Sequence, residues 1–94
     1  MPHIVVVYDI VDDKTRRIVG EILEGFGRRV NRSVFECQVK HAKQRKKLED
    51  ALEREINPKV DSLRVYTVCT NCMESSTVLG REPKAFDKDA VYFF

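Results

Sequence analysis

The order of segments predicts an α+β fold, a ferredoxin-like sandwich in which an antiparallel sheet carries two helices on one face. Three observations support it. A β-branched run, Ile4 to Val7, opens the chain. Two amphipathic helical patterns follow it, and the segments after each have the apolar content of strands. With 94 residues the chain makes a single domain, 1–94, near the lower size at which one core offsets chain entropy. Small domains often gain stability by pairing, so a two-fold homodimer is expected.

The stretch from His3 to Asp13 organises the rest. Ile4, Val5, Val6 and Val7 suit a central strand covered on both faces. Tyr8 and Asp9 stand near its C-terminal end, just before the turn Asp12-Asp13. A carboxylate at the mouth of a buried strand is held in a fixed place, as a metal or catalytic site requires. The plainer alternative gives Asp9 a role in the turn. Asp12 or Asp13 is a suitable N-cap for a helix from Lys14 to Phe26, with Ile18, Val19, Ile22, Leu23 and Phe26 on one face. Gly25 and Gly27 are expected to stop it.

Arg28 to Val39 reads as extended chain with Val30, Val34, Phe35, Cys37 and Val39 as its apolar members. Asn31 and Arg32 interrupt the pattern, so the segment is either a hairpin or one kinked strand. The polar run Lys40 to Lys47 leads into a second helix whose buried side is Leu48, Ala51, Leu52 and Ile56, and Pro58 ends it. Leu63 to Thr70 alternates as a strand, with Leu63, Val65, Thr67 and Cys69 on one face. Residues 71–94 contain two short apolar pieces, Thr77-Val78-Leu79 and Ala90 to Phe94, with nothing of their own to pack against. They are expected to form a dimer-directed extension that adds strands to a sheet edge of the partner.

No apolar run is long enough to span a membrane, and no secretory leader is expected before the first strand. An odd number of cysteines, three, precludes a complete internal disulfide framework and suggests a reducing cytoplasm. A net charge of +2 does not announce a nucleic-acid binder, but the basic residues are sorted into groups: Lys14, Arg16, Arg17; then Arg28, Arg29, Arg32; then Lys40 to Lys47. Such groups suit either a phosphate-binding surface or solvated helix ends.

Two constellations carry chemistry. Mg²⁺ prefers oxygen ligands and often takes only one or two carboxylates, so one Asp9 per protomer across a two-fold axis suffices in number. Arg16, Arg17 and Arg29 are candidate phosphate clamps, since a guanidinium contacts two phosphate oxygens at once. The second constellation is Cys69 and Cys72 with Cys37 and His41, a CxxC plus a Cys and a His, the number a tetrahedral zinc site needs, though the pattern is only half complete in sequence. A redox CxxC normally opens a helix, and nothing after Cys72 reads as one, so the pair is taken as structural. Cys37 is read as a small buried hydrophobe, and most aromatics as core or dimer contacts, with Tyr8 and Phe35 able to border a site. The chain lacks the stacked-aromatic motif of an RNA-recognition sheet.

With VVVYDIVDDKTRR followed by FGRRVNRSVFECQV, the sequence resembles the small CRISPR-associated endoribonuclease family, the second of the two core proteins of spacer acquisition. The resemblance implies a ferredoxin-like homodimer that exchanges C-terminal strands. It also implies a Mg²⁺-dependent nuclease on single-stranded RNA or double-stranded DNA, and a scaffold bridging the spacer integrase. The family's metal-binding aspartate falls on Asp9, and its accessory residues on Arg16, Arg17, Arg29 and Phe35, with Tyr8 beside the aspartate. Asn31 departs from the glutamine usual at its place, which keeps the amide but shortens it. The alternatives are a non-catalytic nucleic-acid-binding scaffold and a virulence-associated ribonuclease toxin of related fold.

Overall fold

The computed structural model describes residues 3–80. The chain runs through β1 (His3–Asp9), α1 (Asp13–Glu24), β2 (Gly27–Asn31), β3 (Val34–Gln38), α2 (Ala42–Glu55), β4 (Ser62–Val68) and a short α3 (Thr70–Glu74). One sheet has the order β2-β3-β1-β4, with β1 antiparallel to both neighbours. This is the α+β arrangement expected, with α3 as an addition. The alternatives for residues 28–39 resolve in favour of the hairpin.

Strand β1 alternates along its length. Ile4, Val6, Tyr8 and Ile10 are buried with Phe35 and Cys37 of β3, Val19 and Leu23 of α1, and Leu48 and Leu52 of α2. Val5 and Val7 are only half-buried, and Asp9 is exposed. The expectation that β1 is covered alike on both faces is therefore corrected. An antiparallel strand with helices on one side of its sheet presents every second residue to the other side. Each fully buried leucine or valine in this core contributes roughly 1.5–3 kcal/mol relative to exposure.

Asp12 caps α1, its Oδ2 accepting the Thr15 N–H at 2.9 Å and the Thr15 hydroxyl at 3.1 Å. Asp13 in the first turn adds a favourable charge at the positive end of the helix dipole. The helix ends at Glu24 rather than Phe26, with the Gly25 N–H donating to the carbonyl of Ile22. Gly27 does not stop the helix; it opens β2, where a Cβ would lie 2.0 Å from the Glu36 carbonyl oxygen. Strand β2 can lie against β3 there only without a side chain.

A bulge between Arg29 and Asn31 shifts the β2–β3 register, and the residues Arg32-Ser33 make the turn. The Asn31 side-chain oxygen accepts the Arg32 N–H at 2.7 Å, and the Ser33 carbonyl accepts the Tyr8 N–H at 3.0 Å, which fastens the turn to the end of β1. What interrupts the apolar pattern is thus bulge plus turn.

Much of the polar run 40–47 is itself the first part of α2. His41 caps it, Nδ1 accepting the Gln44 N–H at 3.2 Å, while the Gln44 side chain reaches back to the Lys40 N–H. This reciprocal pair satisfies two otherwise orphan donors in the manner of a capping box. The helix stops at Glu55 because Pro58 lies ahead, and Asp61 closes the following loop. One Asp61 oxygen accepts the Asn57 N–H at 2.8 Å and the other accepts the Val11 N–H at 3.0 Å, joining the α2–β4 and β1–α1 connections.

In β4, Leu63 and Val65 pack against the core, but Thr67 is exposed and Cys69 lies past the strand. The predicted strand 63–70 is thus shortened to Ser62–Val68, because Cys69 turns the chain into α3. Thr77 to Leu79 pair with no strand of the described residues of their own protomer, and Ala90 to Phe94 lie outside the described residues.

Replacing Gly27 by alanine is expected to cost about 1–3 kcal/mol through overpacking, read as a lower urea midpoint. Gly25→Ala, whose Cβ would meet the Ile22 carbonyl only at 3.4 Å, is expected to shift the midpoint little. Equal shifts in the two variants would mean that the β2–β3 approach is looser than the structure has it.

Candidate nucleic-acid interface

Two basic groups separated in sequence meet in space. The first turns of α1 carry Arg16 and Arg17, and the β2–β3 hairpin carries Arg29 and Arg32. Together with Asp13 and Ser33 they line an open cleft of ≈ 670 Å³. Four guanidiniums face one carboxylate there, so the cleft is strongly positive.

Packing fixes the position of Arg29. Register places it opposite Phe35, and its guanidinium lies 4.9 Å from the centre of that ring, a cation–π contact. Phe35 is fully buried and stacks on Tyr8 with ring centroids 6.4 Å apart. Arg29 Nη1 also donates to the Tyr8 hydroxyl at 3.3 Å and to the Arg32 carbonyl at 2.5 Å. The Tyr8 hydroxyl in turn donates to that carbonyl at 3.4 Å. Gly20 on α1 leaves room for this arrangement, since a Cβ there would meet Arg29 Nη2 at 2.7 Å. Tyr8 and Phe35 therefore border the cleft from beneath, as the platform for Arg29; being buried, they are not free to stack on a base.

Arg16 is held differently. Its guanidinium pairs with Asp13 one turn earlier and donates to the Ile10 carbonyl at 3.2 Å, tying the helix to the end of β1. Arg17 is exposed. The capping bond of Asp12 underlies both arginines, because it fixes the first turn of α1. The Thr15 backbone and side-chain hydrogen bonds hold the Asp12 carboxyl below its ordinary value of 3.8.

Asp9 lies elsewhere. It pairs with Ser62 on β4 and belongs, with Val5 and Val7, to the sheet face that neither α1 nor α2 covers. It does not line the arginine cleft. Sequence reading joined Asp9, Arg16, Arg17 and Arg29 in one constellation; the protomer separates the carboxylate from the guanidiniums across the sheet. Among the described residues no group of three or more His, Cys, Asp or Glu could hold a metal ion. What a protomer offers a hard cation at Asp9 is one exposed carboxylate, a donor that fits Mg²⁺ if water or a second copy completes the shell.

Arg32, Ser33 and Asp13 were not singled out from sequence. Arg32 stood in the second basic group, and reading Arg32-Ser33 as a hairpin turn would have placed both opposite the α1 arginines. Arg28, in the same group, falls across from Glu36 on the other face. In the third basic group Arg45 and Lys46 are engaged along their own helix, with Glu49 and Asp50.

The comparisons concern the chain as a whole. The family model for CRISPR associated protein Cas2 matches residues 1–76. The CRISPR-associated endoribonuclease Cas2 1 of Chloroflexus aurantiacus is 34% identical over 88 residues, covering 90% of this chain and 91% of that protein. The crystal structure of Streptococcus pyogenes Cas2 matches with a TM-score of 0.72 at 31% identity, over 83% of this chain and 99% of that one. A chain of a partial Cas6-RT-Cas1–Cas2 complex matches with a TM-score of 0.73 at 28% identity, over 84% of this chain and 91% of its own.

Because the Asp12 carboxyl is lowered in the folded state, its contribution to stability is complete above the ordinary value of 3.8 and is lost as pH falls through the depressed one. Asp12→Ala is expected to melt at lower temperature than wild type near neutral pH. The gap should narrow in acid, as pH falls below 3.8. Thermal melts at both pH values check this; a gap that persists unchanged in acid would assign the loss to something other than the carboxylate.

Proposed function

The chain belongs to the CRISPR associated protein Cas2 family, and from that premise we propose that it works in CRISPR adaptation as a dimeric nucleic-acid-binding protein with phosphodiesterase activity. The observation that carries this reading is the convergence of Arg16, Arg17, Arg29 and Arg32 on one cleft. Phosphate contacts of this kind set the position of a nucleic-acid backbone and do not depend on base sequence. Arg29, already ordered by Phe35 and Tyr8, loses little freedom when it takes a phosphate.

The homodimer is supported by the helix-free face of the sheet. Val5, Val7, Val34 and Val68 are half-buried there, and Tyr66 is 49% exposed. A face with this apolar centre suits a second copy better than water. Pairing through it would direct both copies of Asp9 toward the shared side, away from the arginine clefts.

The relatives named endoribonucleases support cleavage within RNA; the substrate proposed is single-stranded RNA, with double-stranded DNA as the other candidate. Asp9 is the residue assigned to the cation. None of the ion pairs or side-chain hydrogen bonds among the described residues engages it, so its oxygens keep their capacity for one. A bound Mg²⁺ supplies charge neutralisation at the phosphodiester and activation of the attacking water. The chain's own part is to hold the cation at Asp9 and, on the other side of the sheet, to bind a separate stretch of nucleic-acid backbone with Arg16, Arg17, Arg29 and Arg32. The structure of a relative within a Cas6-RT-Cas1–Cas2 complex supports the spacer integrase as partner, and a cytoplasmic location accompanies that role. Scaffolding needs the arginines but no metal, so the two activities separate by mutation.

Wild type is expected to cleave RNA or duplex DNA with Mg²⁺ and to stop with a chelator, while Asp9→Ala loses cleavage and keeps the dimer mass in light scattering. Activity that survives Asp9→Ala would leave the scaffold reading alone. For binding, Arg16→Gln and Arg29→Gln are each expected to reduce the slope of log K against log salt by about 1. Unchanged slopes would remove the cleft from the interface.

A further inference from the structure

The pair Cys69 and Cys72 has no part in the cleft or at Asp9, and the structure revises its reading from sequence. A helix does follow Cys69. It is α3, and Cys69 stands at its cap with Sγ accepting the Cys72 N–H at 3.4 Å. The two sulfur atoms are 3.2 Å apart, the Cys69 thiol donating to Cys72, and both residues are exposed. Cys37, by contrast, is buried among Ile4 and its neighbours in the core.

We propose that Cys69 and Cys72 form a modification site for thiol–disulfide exchange, in which a low-molecular-weight disulfide of the glutathione class oxidises the pair to an internal disulfide. The Cys69 thiolate attacks one sulfur of the small disulfide; that S–S bond breaks, one small thiolate leaves, and a mixed disulfide remains on Cys69. Cys72 then gives up its proton and its thiolate attacks Cys69 Sγ, expelling the second small thiolate. The chain loses two protons and two electrons in total, and the small disulfide becomes two thiols. The second step needs little movement, because 3.2 Å is already within the range of near-attack geometry.

The electrostatics assign the order. The hydrogen bond shared with the Cys72 side chain, followed by the one from the Cys72 N–H, lowers Cys69 below the ordinary thiol value of 9.0, while the bond shared with the Cys69 side chain raises Cys72. Cys69 is thus the attacking sulfur and Cys72 the resolving one. Burial, with the charge of Glu36, pushes the Cys37 thiol up to about 12, which keeps it out of the reaction.

The test equilibrates the full chain in glutathione buffers of rising oxidised fraction, quenches in acid, alkylates free thiols under denaturing conditions and weighs the peptides. Cys69 and Cys72 are expected to lose alkylation together while Cys37 keeps it. Cys72→Ala should instead stop at the mixed disulfide on Cys69, and Cys69→Ala should acquire several-fold less glutathione. Both variants are exposed substitutions, and their melting curves check that they fold. Alkylation of both cysteines throughout the series would overturn the proposal. So would an oxidised product that runs as a covalent dimer without reductant, or glutathione resting on Cys72 rather than Cys69.

Discussion

Everything in this fold depends on the pairing of β1 along both edges. Hydrogen-bonded to β3 on one side and β4 on the other, it cannot shift register without sending Ile4, Val6 and Tyr8 to the wrong face of the sheet. The same constraint divides the functional groups. Tyr8 goes inward to support Arg29, and its neighbour Asp9 goes outward beside Val7. Two adjacent residues thus serve opposite sides of the molecule, and the period of two in the strand is what separates phosphate binding from the carboxylate.

Arg29 shows how a flexible cation becomes a fixed one. An arginine on a hairpin ordinarily samples many rotamers, but here a buried ring lies under the guanidinium and two oxygens receive its protons. Gly20 is the second half of the device, since any side chain there would contend for the space Arg29 occupies. Arg16 achieves a similar end by other means, through a local ion pair and a backbone carbonyl in place of a ring. The cleft therefore combines one arginine fixed by the core with others free to adjust to a phosphate backbone.

The sequence was most readable where periodicity and caps agreed. Val19 and Leu23 on α1, Leu48 and Leu52 on α2, and the stop before Pro58 all follow from helical spacing and punctuation. The two-sided covering of β1 was misread because a run of Ile4 and three valines hides its alternation: every member is apolar, so composition cannot tell inward from outward. Arg32 was missed because a bulge and a turn, neither with a strong signature in Asn31-Arg32-Ser33, decide where its side chain goes. Helix α3 escaped for the opposite reason. Five residues are too few to show a hydrophobic period, and a cysteine cap lies outside the usual set of capping residues.

Asp61 has a wider effect than closing a turn. Its two oxygens hold Asn57 on one connection and Val11 on another, although the two are far apart in sequence. A single carboxylate thus makes the β1–α1 and α2–β4 connections one cooperative unit. Local opening of either connection must then break a bond to the carboxylate that also holds the other, so the end of β1 where Asp9 sits is tied to both loops at once.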